Sequence, residues 1–206
     1  MIEARELLVR RAHRLAVFTV VWNISEGAIA LTAAIVAGSQ ALLGFGLDSG
    51  IESLSASILL WRLAAERRDP ERAEHVERRA VRLIGASFFV LAAFVGFDAI
   101  RSLLDGARPE ASPAGIALTS LSLVVMPVLA AKKRRVGRDM GSRSVQTDSQ
   151  QTSACAYLSA VVLVGLVANA ALGWWWADPV AALGVVVFLV REGREALGAE
   201  HVDDCC

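Results

Sequence analysis

Residues 15–37 read LAVFTVVWNISEGAIALTAAIVA, an apolar run with a single carboxylate, Glu26, near its middle. A helix needs about 20 such residues to cross the roughly 30 Å of hydrocarbon in a bilayer. Five further runs follow it: Ser39–Leu63, Ala80–Leu104, Ala114–Ala131, Thr152–Leu172 and Ala177–Val190. The last is short, and spans only by extending through Trp174–Trp176 or toward Arg191. Trp174, Trp175 and Trp176 stand between the fifth and sixth runs, where an interfacial aromatic belt belongs. Across all 206 residues 55% are hydrophobic and 20% charged, and mean hydropathy is +0.50. Apolar residues in long runs rather than amphipathic stripes exclude an ordinary water-soluble domain. The expected fold is all-α: a polytopic membrane protein with six transmembrane helices.

Lysine and arginine set the expected orientation. Nineteen of the 21 lie in the N-terminal segment (Arg5 to Arg14), between runs two and three (Arg62 to Arg82), between runs four and five (Lys132 to Arg143), or at the C-terminal end (Arg191, Arg194). Only Arg101 and Arg108 fall on the other side. Basic loops stay cytoplasmic, so both termini are expected there. The opposite connections are minimal: Gly38 to Gln40, and Gly106 to Pro113 with its two prolines. No segment outside the runs is long enough to bury a core of its own. Zero net charge argues against a nucleic-acid partner. Cys155, Cys205 and Cys206 make no disulfide framework. The charged start MIEARELLVRRAHR, followed by a full-length apolar run, reads as a retained span rather than a cleaved signal. Residues 1–197 are expected to form one six-helix domain and residues 198–206 a short cytoplasmic tail rich in Cys, His and Asp.

The informative residues are the acids inside the runs. Glu26 lies midway along the first; Asp48 and Glu52 lie inside the second. A carboxylate at mid-membrane costs about 2.5–3.5 kcal/mol, and three cost on the order of 10 kcal/mol. No lysine or arginine is expected at their depth, so the acids call for a cation from elsewhere or for protons. Asp48 and Glu52 are four apart and share one helix face, where a divalent cation removes their mutual repulsion. The alternative is a protonated, hydrogen-bonded polar seam. The surrounding Gly and Ser residues of 44–57 permit close helix approach. At the start of the fifth run, Asp148, Gln151 and Cys155 can share a face; a filler thiol and a capping Asp are the plainer alternatives.

Taken together these features resemble the cation diffusion facilitator family of metal exporters. The resemblance rests on Asp48-Ser-Gly-Ile-Glu52, Thr147-Asp148-Ser149 leading to Gln151-Thr-Ser-Ala-Cys155, Phe97-Asp98-Ala99-Ile100-Arg101, Trp22-Asn23 and Ala177-Asp178-Pro179-Val180, in order, from about Leu15 to Leu197. It implies a metal site between an acid pair on helix two and a His-x-x-x-Asp pair on helix five. Here Gln151 and Cys155 replace that second pair, and His13, His75 and His201 all lie outside the spans. It also implies homodimers and a cytosolic C-terminal domain; only about a dozen residues follow Glu195, so a short branch without that domain is expected.

The expected ligands are Asp48, Glu52 and Cys155, with Gln151 or water fourth and Glu26 as a further ligand or proton acceptor. Either the helices are staggered, or Asp148 and Gln151 belong to the inner mouth of the path. Tetrahedral Zn²⁺ accepts mixed oxygen and sulfur ligands, and oxygen-rich sites also suit Mn²⁺.

The expected function is divalent-metal efflux, Zn²⁺ first, with Mn²⁺, Co²⁺ or Fe²⁺ as alternatives, across the plasma (inner) membrane. Alternating access with H⁺ as counter-ion and no prosthetic group completes that expectation. A non-transporting metal-binding adaptor is the rival reading. A membrane enzyme, such as a lipid-headgroup transferase, would need a denser acidic cluster than one pair, so no enzymatic activity is expected. Asp98 is expected to pair with Arg101, and Asp178 to cap helix six ahead of Pro179. The tail His201–Cys206 reads as a thiophilic metal trap or as a plain terminus.

Overall fold

The computed structural model describes residues 2–37, 40–68, 73–106 and 112–198, with backbone only at 2–4, 37, 40–41, 67–68, 73–75, 169, 177–178 and 181. Among the described residues all regular structure is helical: α1 (Ile2–Ala37), α2 (Gln40–Arg68), α3 (Ala73–Asp105), α4 (Pro113–Met140), α5 (Arg143–Leu172) and α6 (Ala177–Gly198). The described residues of each expected apolar run lie within one helix; Ser39, the first residue of the second run, is outside the described residues. The helices are longer than the runs, and α1, α4 and α5 carry basic sequence as continuous helix. Four segments, Arg5–Val36, Val76–Asp105, Pro113–Met140 and Arg143–Leu172, are long and apolar enough to cross a membrane. α2 and α6 are not among them; α2 holds Asp48, Glu52, Arg62 and Glu66, which dilute its apolar content.

The distribution of polarity is that of a protein solvated by lipid. Ile35 and Val36 are 80% and 83% exposed, and Leu104, Phe97, Val124 and Val187 also face outward. Asp48, Glu52 and Asp148 are completely buried. Exposed apolar surface on this scale finds a favourable solvent in hydrocarbon, while inward polar groups avoid it. The chain is a multi-pass membrane protein.

Helices α1, α2, α5 and α4 close a ring, each touching the next, and α3 pairs with α6 along the α2–α5 side. Small residues set these distances. A Cβ on Gly27 would stand 3.2 Å from the Gly46 carbonyl oxygen and 3.3 Å from Ser49 Cβ. That contact joins α1 to α2 and brings Glu26 beside Ser49. A Cβ on Gly193 would meet the Phe89 ring at 2.8 Å, joining α6 to α3.

The α4–α5 hairpin is tight. Ser112 caps α4, accepting from Gly115 N at 3.1 Å, with Pro113 in the first turn. α4 runs through Pro127 to Met140 and stops at Gly141, whose φ of +64° closes the helix in the left-handed region that favours glycine. α5 begins two residues later. The basic stretch Lys132–Arg143, expected as a loop, is therefore mostly helix. At the far end Gly173 (φ +67°) terminates α5, and Trp174 stacks on Trp176 at 5.8 Å. Val180 N bonds to Trp176 O at 3.2 Å. Asp178 thus lies inside the first turn of α6 and not at its cap, since the helix begins at Ala177, two residues before Pro179; its side chain is outside the described residues.

Apolar layers close both ends of the ring. Val9, Ala16, Leu59, Leu63, Val136 and Met140 pack near the N-terminal end of α1. Ala34, Leu42, Phe45, Leu118, Leu158 and Val162 pack toward the other. A charged network surrounds the first of these layers. Arg62 pairs with both Glu66 and Glu77. Arg5 reaches Glu66 at 2.7 Å, and Glu77 accepts from Ser142 Oγ, Ser144 N and Ser144 Oγ at 2.9, 2.6 and 3.0 Å. One carboxylate thereby ties α2 and α3 to the α4–α5 turn.

The α1–α2 contact leaves no room for a side chain at Gly27. Gly27→Val should lower the unfolding midpoint in detergent by an amount equivalent to about 1–3 kcal/mol, the usual cost of overpacking. Gly50→Ala, whose Cβ meets nothing within 4 Å, should leave it unchanged or raise it slightly. A wild-type midpoint for Gly27→Val would refute the close contact.

Candidate metal centre

A column of polar side chains runs inside the ring between the two apolar layers. Its first level, nearest the Arg62 network, is Asp148 on α5. Lys133 Nζ of α4 stands 2.7 Å from Asp148 Oδ2 and donates to Thr152 Oγ1 at 2.8 Å. Ser55 Oγ of α2 donates to Asp148 Oδ1 at 3.2 Å. Lys133 is 1% exposed and Asp148 is sealed completely.

The second level is the acid pair. Asp48 and Glu52 project from one face of α2, and none of their four carboxylate oxygens has a hydrogen-bond partner among the described residues. Cys155 of α5, also buried, lies within polar reach of both carboxylates. Thr152 and the Lys133 charge act on Glu52 as well. An unpartnered buried polar atom is costly, and four on two adjacent acids leave a strongly cation-attracting gap.

The third level is Glu26 on α1. Ser49 Oγ donates to Glu26 Oε2 at 3.3 Å, and Glu26 Oε1 has no hydrogen-bond partner among the described residues. Asn23, one turn away and buried, leaves both amide atoms without such a partner, as does Trp22 Nε1. Ser159 of α5 donates to Ser122 of α4 at 3.2 Å and completes the polar lining.

The structure therefore brings together Asp48, Glu52 and Cys155, sets Glu26 beyond them on the side away from Lys133, and sets Asp148 on the Lys133 side. Of the two alternatives for depth, Asp148 lies level with Ser55, nearer the Arg62 end than the acid pair. Among the described residues no three His, Cys, Asp or Glu groups stand close enough together to hold a metal ion as they are. The acids converge on Cys155 without closing a cage.

Four expectations need correction. A lysine lies inside the bundle next to the acids: α4 continues past Ala131, which carries Lys133 inward to the Asp148 level, one level from the acid pair, instead of into a loop. Gln151 does not share the inward face. Its Oε1 accepts from Ser87 Oγ of α3 at 3.4 Å, and Thr152, a full turn from Asp148, faces Glu52 instead. Asp148 is not a free ligand, because Lys133 and Ser55 engage it. Arg101 pairs with Asp105 at 3.3 Å, not with Asp98; the i,i+4 partner fits the side-chain reach better, and half-buried Asp98 turns toward Gly44, where a Cβ would meet its Oδ2 at 3.6 Å. The tail His201–Cys206 lies outside the described residues.

Lys133 is the buried charge beside these acids that the sequence reading misses. A signal was available. Met126, Leu129, Ala130, Lys133, Val136, Gly137 and Met140 form the buried stripe of α4, spaced by three and four residues as one helix face requires. Only Lys133 in the run Lys132-Lys133-Arg134-Arg135 falls on that stripe.

Comparison with known proteins agrees with this architecture. A family model described as the cation efflux transmembrane domain matches residues 16–198. An uncharacterised transporter of Synechocystis is 28% identical over 196 residues, covering 93% of this chain and 63% of that protein. Magnetosome protein MamB of Paramagnetospirillum magneticum is 24% identical over 169 residues (80% and 57%). Protein p34 of Rickettsia rickettsii is 26% identical over 191 residues (90% and 61%). The chain thus spans about six-tenths of the length of these relatives. With a matched domain covering most of its residues, the chain belongs to the cation efflux family.

Proposed function

We propose that this chain moves divalent metal ions out of the cytoplasm across the plasma membrane, with Zn²⁺ as the leading substrate. The observation that carries the reading is the acid pair: Asp48 and Glu52 are buried beside Cys155 with four oxygens that nothing among the described residues satisfies. A carboxylate–thiolate set of this kind suits Zn²⁺; an oxygen-weighted variant of it suits Mn²⁺, with Co²⁺ and Fe²⁺ as further candidates. In this reading all six helices span the bilayer, α2 and α6 included, and the basic residues hold both termini in the cytoplasm.

Transport proceeds by alternating access. Metal arriving from the cytoplasm passes the Asp148 level and binds between Asp48, Glu52 and Cys155. The ring then opens on the opposite side, and protons taken up by the same oxygens displace the ion past Glu26. Glu26 serves as the outer acceptor. The working unit is a homodimer, and the chain carries no prosthetic group and performs no covalent chemistry. A second reading, a metal-binding adaptor without transport, is favoured by the engagement of Asp148 with Lys133 and of Gln151 with Ser87, which leaves fewer free donors.

Proteoliposomes containing the purified chain should accumulate Zn²⁺ under an imposed pH gradient, assayed beside Mn²⁺, Co²⁺ and Fe²⁺. Asp48→Ala and Glu52→Ala should each reduce that flux by ~100-fold or more, since each removes a charged ligand; losing a residue that only hydrogen-bonds to a ligand costs about 10–100-fold. Flux at wild-type level in either variant would remove the acid pair from the pathway. Bound Zn²⁺ without flux of any ion would favour the adaptor.

Binding itself should depend on pH. Protonating the ligands opposes the metal, so Zn²⁺ affinity should fall as pH is lowered. Calorimetric titration in two buffers of different ionisation enthalpy should reveal protons released on binding. Affinity that is flat with pH and releases no proton would exclude competition at these oxygens.

A further inference from the structure

A buried lysine is an expensive way to fill a bundle. Taking an ammonium ion out of water costs several kcal/mol even when it is paired, and a well-packed apolar side chain of similar volume often serves stability as well or better. Lys133 is nonetheless 1% exposed, on the stripe of α4 where its neighbours are Met126, Leu129 and Val136. Its ammonium stands 2.7 Å from Asp148 Oδ2 and donates to Thr152 Oγ1 at 2.8 Å. Glu52 is near enough for the Lys133 charge to act on it, and among the described residues the two share no hydrogen bond. Lysine suits such a position, because it is a compact charge on a flexible four-carbon stem and is able to shift without dismantling its helix.

We propose that Lys133 is a tethered counter-cation: it occupies Asp148 when no metal is present and lowers the affinity of the Asp48–Glu52 pair for a divalent ion. This deepens the exporter reading and rests on it. Lys133 is then a positioning residue whose charge opposes the arriving dication and whose hold on Asp148 withholds a ligand. A transporter has use for this opposition. A gap bounded by three carboxylates without internal compensation would hold a dication too firmly to release it, and conduction through any site requires binding weak enough to leave.

A charge cycle tests the idea. Zn²⁺ is titrated into the purified chain in detergent, in a background carrying His201→Ala, Asp203→Asn, Asp204→Asn, Cys205→Ser and Cys206→Ser so that no ligating side chain is left in the tail. Lys133→Met should tighten Zn²⁺ binding about tenfold, the equivalent of 1.4 kcal/mol, because Asp148 is freed and a repulsive charge is gone. Asp148→Asn should weaken binding by a similar factor, because the ammonium is then drawn to Glu52. Lys133→Met combined with Asp148→Asn keeps the local charge of the wild type and should return to within about threefold of it; Lys133→Arg should do the same.

A purely structural role for Lys133 predicts loss in Lys133→Met, never gain. Equal or weaker Zn²⁺ binding in Lys133→Met would therefore overturn the proposal. If that variant does not fold, the double variant is compared with Asp148→Asn, and equal affinities there would overturn it instead. Zn²⁺ binding that survives Asp48→Asn in the background chain would sink the exporter reading and this inference with it, whereas binding lost in Asp48→Asn but indifferent to Lys133→Met sinks this inference alone.

Discussion

Two ionisable acids whose four oxygens have no hydrogen-bond partner among the described residues, held one turn apart in the middle of a helix and buried, are the constraint around which this bundle is organised. In hydrocarbon such groups have no solvent to turn to, and each costs about 2.5–3.5 kcal/mol even on the lenient scale of insertion. The fold responds by enclosing them. Helices α1, α2, α4 and α5 form the wall, their apolar faces point outward, and Asn23, Ser49, Ser55, Ser122, Thr152 and Ser159 are buried within it. Gly27 and Gly46 let α1 approach α2 closely enough for Glu26 to join the same column. The α3–α6 pair packs from outside and contributes Ser87 and an apolar buttress.

Compensation along the column is uneven, and that unevenness is informative. At the Arg62 end every charge is answered: Arg62 by Glu66 and Glu77, Glu66 also by Arg5, and Glu77 also by two serines of the α4–α5 turn. One level further in, Asp148 has Lys133 and Ser55. At Asp48 and Glu52 hydrogen bonding stops, and Cys155 and Thr152 stand nearby without supplying a positive charge. A purely structural polar core would be satisfied throughout, since a half-satisfied network is worse than an apolar one. The gap therefore falls where a mobile cation would complete it.

Much of this was legible in the sequence. The described residues of the six apolar runs lie within the six helices, because hydrocarbon leaves the backbone few alternatives to helix. The spacing of Asp48 and Glu52 placed them on one face, and Cys155 reached them from α5. What the sequence concealed was mostly a matter of where helices end. Lys132–Arg143 has the composition of a basic loop, yet Gly141 allows α4 to run almost to its end and turn sharply into α5. Lys133 was consequently counted as an orienting charge when its register buries it. The i,i+4 spacing points Gln151 to the inward face, a position that Thr152 satisfies better; the distinction is about 100° and depends on how α5 is rotated against α2 and α3. Asp98 and Arg101 were paired by proximity in sequence, whereas Asp105, one turn on, was the better match. These outcomes depend on helix rotation and length, which tertiary packing fixes and local pattern does not.

The claim at the centre of this account is that Asp48, Glu52 and Cys155 receive the transported ion together. X-ray absorption at the zinc edge tests it most directly, on the purified chain loaded with one equivalent of Zn²⁺ in the background where His201, Asp203, Asp204, Cys205 and Cys206 are replaced. The account predicts one sulfur neighbour at about 2.3 Å with oxygen neighbours near 2.0 Å. Cys155→Ser should remove the sulfur shell, and no histidine signature should be present. A sulfur-free spectrum unaffected by Cys155→Ser, or zinc retained after Asp48→Asn and Glu52→Gln together, would contradict it.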